Sequence, residues 1–84
     1  MIGDNLGPLK KVKLKNEFLT NLEENLYLLE KNNPKEYKVF SSKIYTRILN
    51  VLICLEINNL REFETRKRNL FMEIDSLIKS NEEE

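Results

Sequence analysis

The sequence contains no histidine, tryptophan, glutamine or alanine, and its single cysteine is Cys54. Histidine is the commonest general acid–base and the commonest metal ligand, so its absence removes most catalytic and metal-binding arrangements. One cysteine excludes an internal disulfide, a cysteine-based zinc site and a redox pair. Cys54 lies in an apolar run, where a thiol is usually a small buried hydrophobe. We therefore expect no enzyme activity, no catalytic residue, no cofactor and no metal.

Long apolar runs and an excess of one charge are also missing. The most apolar stretch, residues 44–57, contains Arg47, Asn50 and Glu56, and it is too short and too polar to cross a bilayer. The N-terminus lacks the basic and apolar regions of a signal peptide, so we expect a cytoplasmic protein without a membrane role. Lysine plus arginine and aspartate plus glutamate both number 14, which leaves a formal net charge of zero.

Three segments carry the apolar spacing of amphipathic helices, at about residues 14–31, 34–57 and 60–79. Both glycines and Pro8 lie within residues 1–13, which favours a flexible arm, and residues 80–84 form a short acidic tail. Amphipathic helices with short connections pack as neighbours. The sequence thus predicts a single all-α domain, a three-helix antiparallel up-down-up bundle spanning residues 1–84.

The predicted second and third helices have clear start signals. Asn33 suits the N-cap position, Pro34 the first helical position, and Glu36 the third position of a capping box. Asn59 and Glu62 repeat the same spacing before the third helix. Both starts are therefore expected to be held by an asparagine side chain.

The predicted second helix has a second apolar face. On a helical wheel Ile53 and Ile57 point away from its main apolar stripe, with Leu49 nearby. A central helix that touches both neighbours would bury these side chains in the bundle. Alternatively, they form an exposed strip that docks on a partner protein or on a second copy of the chain.

Basic residues are concentrated in two places. Arg66, Lys67 and Arg68 form the densest basic run, with Lys67 near the centre of the third helix's apolar stripe. Lys67 either lies over apolar surface with its ammonium in water or marks a contact with an acidic partner or a phosphate. Residues 1–15, the arm and the start of the first predicted helix, carry four more lysines, which are either solvated or contact nucleic-acid phosphates: Lys10, Lys11, Lys13 and Lys15.

The helix starts at Asn33–Pro34 and Asn59–Leu60, the long apolar helix and the acidic tail together resemble one protein family. The chain is similar to the small all-helical accessory subunit of the crenarchaeal family-B replicative DNA polymerase holoenzyme. The similarity lies in size, helical layout and the Lys-, Asn- and Ile-rich composition of the whole chain. It implies an archaeal, non-catalytic helper that binds a DNA polymerase and acts in DNA replication.

These patterns favour a non-catalytic protein-interaction module, an accessory subunit of a larger complex. Its expected partner-binding residues are Leu49, Ile53, Ile57, Arg66, Lys67 and Arg68. One alternative is a direct nucleic-acid-binding protein that uses Lys10, Lys11, Lys13 and Lys15, with DNA contact otherwise secondary. Another is a small helical regulator or antitoxin whose acidic tail occupies a basic site. A homodimer through the apolar strip is a further possibility.

Overall fold

The computed structural model describes residues 7–80, which form four helices: α1 (Pro8–Asn32), α2 (Pro34–Ser41), α3 (Ile44–Glu56) and α4 (Leu60–Ser80). No strand occurs among these residues, so the protein is all-α. The helices make an elongated rod with extents of 51 × 17 × 17 Å. The first six residues of the predicted arm and residues 81–84 of the predicted tail lie outside the described residues.

The predicted arm is wrong for residues 8–13, because α1 begins at Pro8 rather than at residue 14. Proline suits the first helical position, since its fixed φ is already helical and its missing N–H is not needed there. Gly7 precedes it in an extended conformation, and its carbonyl accepts a hydrogen bond from the Lys11 N–H at 3.1 Å. Gly7 and Pro8 are therefore a helix start rather than an irregular segment.

The predicted helix over residues 34–57 is wrong as a single helix, because residues 42 and 43 separate α2 from α3. The hydroxyl of Ser41 donates to the Lys38 carbonyl at 3.2 Å, and that of Ser42 donates to the Val39 carbonyl at 2.7 Å. Serine hydroxyls that bond back to helix carbonyls compete with the backbone ladder, and serine pairs are common at kinks. The Lys43 N–H instead closes a tighter turn onto the Phe40 carbonyl.

Asparagines hold both predicted helix starts, which confirms these two predictions. The Asn33 side-chain oxygen accepts from the Glu36 N–H at 3.5 Å, and that of Asn59 accepts from the Glu62 N–H at 3.2 Å. The Asn33 N–H donates to the Leu29 carbonyl, so it is not used in a reciprocal capping box. The side-chain nitrogen of Asn33 also donates to α4, at the Leu77 carbonyl and the Ser80 hydroxyl.

The turn between α3 and α4 is built on a left-handed residue, Asn58, with φ of 64°. The N–H groups of Asn58 and Asn59 donate to the carbonyls of Leu55 and Cys54, at 3.1 and 2.9 Å. This pairing is the Schellman motif, which satisfies the last carbonyls of a helix and favours glycine or asparagine at the left-handed position. The next helix follows at once, because Asn59 also caps α4.

The core runs along the rod and draws on all four helices. It contains Phe18, Leu22, Leu29, Phe40, Ile44, Val51, Cys54, Leu55, Phe63, Leu70 and Ile74. Phe18 of α1 packs edge-on against Phe63 of α4, with ring centroids 6.2 Å apart. Both α1 and α3 pack extensively against α4, whereas α1 and α3 touch each other at few positions. Along the described chain no helix is long and apolar enough to cross a membrane.

Candidate partner-binding groove

The three apolar residues on the back of α3 are exposed in the folded chain. Leu49 is 40% exposed, Ile53 54% and Ile57 63%. We call these three residues the α3 strip. On the opposite face of the same helix, Val51 and Leu55 are almost fully buried. The sequence leaves open whether these side chains are buried between the neighbouring helices or exposed as a strip. In the structure they are exposed.

The α3 strip borders a groove between the first half of α1 and the second half of α3. The groove has a volume of about 590 Å³, within the range of binding clefts. Its walls are Pro8, Lys11, Val12 and Lys15 on α1, and Leu49, Leu52, Ile53, Leu55 and Glu56 on α3. Ile57, one turn beyond Ile53, extends the exposed apolar surface past the end of α3.

The two helices on either side of the interruption at Ser42 and Lys43 have different neighbours. On one side, α2 packs against α1; on the other, α3 packs mainly against α4 and touches α1 at few positions. The groove lies between the first half of α1 and the second half of α3, where these two helices are not in close contact.

Two of the four predicted arm lysines border the groove. Lys11 reaches across it, and its ammonium donates to the Glu56 backbone carbonyl at 3.0 Å, at the carbonyl end of α3. Lys15 lies one turn further along the same wall. At 100° per residue, Lys10 and Lys13 point about 150° around the helix from this pair. The four lysines therefore do not share one face for a nucleic-acid backbone.

The basic run on α4 does not form one surface with the α3 strip. Arg66 lines a different cleft, between α3 and α4, where it pairs with Glu62 at 2.9 Å. Lys67 is partly buried, pairs with Glu64 at 3.0 Å, and holds its ammonium 5.0 Å from the centre of the Phe63 ring. Arg68 is exposed. Consecutive helical residues diverge by about 100°, which separates the three side chains.

Sequence reasoning missed Pro8 and Val12, which complete the α1 wall of the groove. Both lie in the segment that was expected to be an arm, so no face was assigned to them. Proline at a first helical position, followed by Val12 four residues later, was the signal that could have placed them on a helix. Val12 is 49% exposed and adds to the apolar surface of the groove.

The groove is lined mainly by apolar side chains. Its walls offer aliphatic side chains, two ammonium groups and one carboxylate. Among residues 7–80, no three histidine, cysteine, aspartate or glutamate residues lie together in a group that could hold a metal ion. The thiol of Cys54 is buried on the other side of α3.

Comparisons with known proteins assign no family to the chain: no protein-family model, no curated protein and no solved structure matches it.

Proposed function

We propose that the protein is a non-catalytic interaction module, an accessory subunit of a larger complex, which binds a partner protein through the groove and the α3 strip. The observation that supports this most is the exposure of Leu49, Ile53 and Ile57 beside a groove of about 590 Å³. Isolated exposed apolar residues are normal, but contiguous apolar surface with a polar border is typical of protein-binding sites. Lys11, Lys15 and Glu56 supply that border.

The proposal includes the arrangement of the helices. In it, α2 and α3 together form the broken middle member of an antiparallel up-down-up bundle, between α1 and α4. Hydrogen bonds at the two ends of the rod support this arrangement: Lys11 to the Glu56 carbonyl, and Asn33 to the Leu77 carbonyl. In such a bundle the groove is the place where a partner can add to the apolar core without unfolding the chain.

The test is the double variant Ile53→Glu with Ile57→Glu, used as bait in pull-downs from native extract. In the complex, the two carboxylates would lose contact with water and gain no hydrogen bonds in return. We therefore expect the variant to fail to capture the proteins that the unchanged chain captures. Circular dichroism checks that the variant remains helical.

A matched control introduces two glutamates at exposed apolar positions outside the groove. Val39 and Met72 are 52% and 63% exposed, close to the values of Ile53 and Ile57, and lie outside the groove. Val39→Glu with Met72→Glu should retain every partner. If the groove variant is folded and also retains every partner, the groove is not the binding site.

A narrower proposal follows from the resemblance to the crenarchaeal polymerase subunit: the partner is a replicative DNA polymerase. A purified crenarchaeal family-B polymerase should then co-elute with the chain in gel filtration and lose it when Ile53 and Ile57 are replaced by glutamate. Separate elution of the two proteins would remove the narrower proposal and leave the groove proposal standing.

A further inference from the structure

We propose that the occupant of the groove is an amphipathic helix of a partner protein, in which aspartate or glutamate residues border the apolar ridge. This inference rests on the proposed function and adds the secondary structure and the charge of the partner. It is carried by the spacing of the groove residues, by the position of the groove relative to α4, and by the distribution of charge along α1.

Both walls of the groove have the residue spacing of a helix-packing face. On α1 the wall residues are 8, 11, 12 and 15, and on α3 they include 49, 52, 53 and 56. Each set follows the pattern i, i+3, i+4, i+7, which places its members on one side of a helix. Two helices that turn such faces toward a common groove provide the ridges between which the side chains of a third helix can pack.

The position of the groove also suits one more helix. None of its wall residues belongs to α4, although α1 and α3 both pack on α4. In a four-helix bundle, each helix packs against two neighbours, and the helices across the diagonal are further apart. Here α1 and α3 touch each other at only a few positions, α4 packs against both, and the groove between them leaves room for one more helix.

The charge of the groove selects the charge of its occupant. Residues 8–15 of α1 contain no acidic residue, and two of their four lysines, Lys11 and Lys15, belong to the wall of the groove. Among the wall residues, Lys11 and Lys15 face a single carboxylate, that of Glu56. Lysines that border an apolar interface favour a partner with carboxylates at the corresponding positions and disfavour basic partners.

A second copy of the chain fits less well. A symmetric contact through the groove would bring together four lysines, Lys11 and Lys15 of each copy, and only two carboxylates, those of the two Glu56 side chains. The chain has an acidic and apolar patch of its own on α1, made by Glu23, Glu24, Tyr27 and Leu28. At 100° per residue, this patch points about 140° away from the groove wall, so one two-fold contact cannot engage both surfaces. A patch-in-groove contact would give open chains rather than a closed dimer.

The probe is a phage-displayed library of random peptides about 16 residues long, roughly four helical turns, selected on the full immobilised chain. We expect enriched peptides with apolar residues at i, i+3, i+4 and i+7 and with aspartate or glutamate beside them. Their binding should be lost with Ile53→Glu. It should fall about tenfold with Lys11→Glu plus Lys15→Glu, and return when the acids of the peptide are changed to lysine.

The control for charge is Lys35→Glu plus Lys38→Glu, which makes the same change in net charge on exposed residues of α2. This variant should bind the selected peptides like the unchanged chain. Enriched peptides that need Ile53 but carry neutral or basic borders would overturn the acidic-helix inference and leave the proposed function intact. Enriched peptides that bind equally well to the Ile53→Glu variant would count against both.

Two further measurements cover the other occupants. The first is sedimentation, and the second is flotation with vesicles of phosphatidylcholine and phosphatidylserine. Self-association or vesicle binding that depends on Ile53, together with failure of the peptide selection, would assign the groove to a second copy or to an anionic lipid surface and overturn the inference. Failure of all three probes would overturn it as well.

Discussion

The two faces of α3 have nearly the same side chains and opposite surroundings. Val51 and Leu55 on one face are buried to within a few per cent, whereas Ile53 and Ile57 on the other are more than half exposed. Every one of these residues is aliphatic, so composition does not distinguish the faces. Only the neighbouring helices do: α4 packs against the first face, from which the nearly buried Leu55 also contributes to the groove wall, and the groove lies beside the second face.

The difference between the faces shows that a chain of 84 residues buries only part of its apolar surface. Small domains bury a smaller fraction of their surface than large ones, so apolar residues beyond the needs of one core remain in contact with water. The interruption at Ser42 and Lys43 decides which residues these are, because beyond it α3 packs mainly on α4. Aliphatic residues on the open face contribute little to the stability of the isolated chain and remain available for the proposed binding of a partner.

Leu55→Ala should have a larger effect than any truncation on the open face of α3. The side chain is 3% exposed, and its removal leaves a cavity in the core. We expect a loss of about 2–5 kcal/mol in the free energy of unfolding, measured by urea titration. Ile53→Ala is the matched change on the open face and should cost less than about 1 kcal/mol. Equal losses for the two variants would mean that both faces are buried in solution.

Asn58→Ala should cause the next largest loss in the free energy of unfolding. The residue forms the turn at the end of α3, directly after Ile57. Asn58 has a φ of 64°. This left-handed conformation costs more free energy for alanine than for asparagine. We expect a loss of about 1 kcal/mol in urea titration. Asn58→Gly should show no such loss, since glycine adopts this conformation without strain. A loss of the same size with glycine would show that the asparagine side chain, rather than φ, holds the turn.

The sequence predicts the parts of the fold that depend on local signals. The caps at Asn33 and Asn59 need only residues within one turn, so their start positions could be identified. The apolar face of α3 that contains Ile53 and Ile57 also follows from helical spacing alone. Whether that face is buried depends on contacts between α1, α3 and α4, and helical spacing carries no information on those contacts.

Two local signals in the sequence have a second meaning that the fold uses. Gly7 and Pro8 suggest an irregular arm, yet proline also suits the first position of a helix, and α1 begins there. Ser41 and Ser42 resemble ordinary surface residues of a continuous helix, but their hydroxyls compete for helix carbonyls. The α1 wall of the groove begins at Pro8, and its α3 wall lies beyond the interruption at Ser42. The α3 wall is therefore predicted in part from helical spacing, whereas the α1 wall follows only when Gly7 and Pro8 are interpreted as a helix start.

Lys11→Met tests the one polar contact from α1 to the end of α3 in the hydrogen-bond network of residues 7–80. The ammonium of Lys11 lies at the carbonyl end of α3, where a positive charge is favourable. We expect a loss of about 0.5 kcal/mol in urea titration, smaller at high salt. Lys10→Met changes the same charge on the outer side of α1 and should leave stability unchanged. If both variants lose the same stability, the loss reflects net charge rather than the contact across the groove.

Ile53→Glu with Ile57→Glu should have the smallest effect on the free energy of unfolding. It tests directly whether the α3 strip is exposed in the free chain. Both side chains already contact water, so the two glutamates together should change the free energy of unfolding by less than about 0.5 kcal/mol. Val51→Glu, on the buried face of the same helix, places a carboxylate in the core and should prevent cooperative unfolding from being observed at all.

A large loss with the double variant would mean that the α3 strip is covered in the free chain, by its own residues or by a second copy. Repeating the titration over a range of protein concentrations separates these causes, because only a contact between copies makes stability depend on concentration.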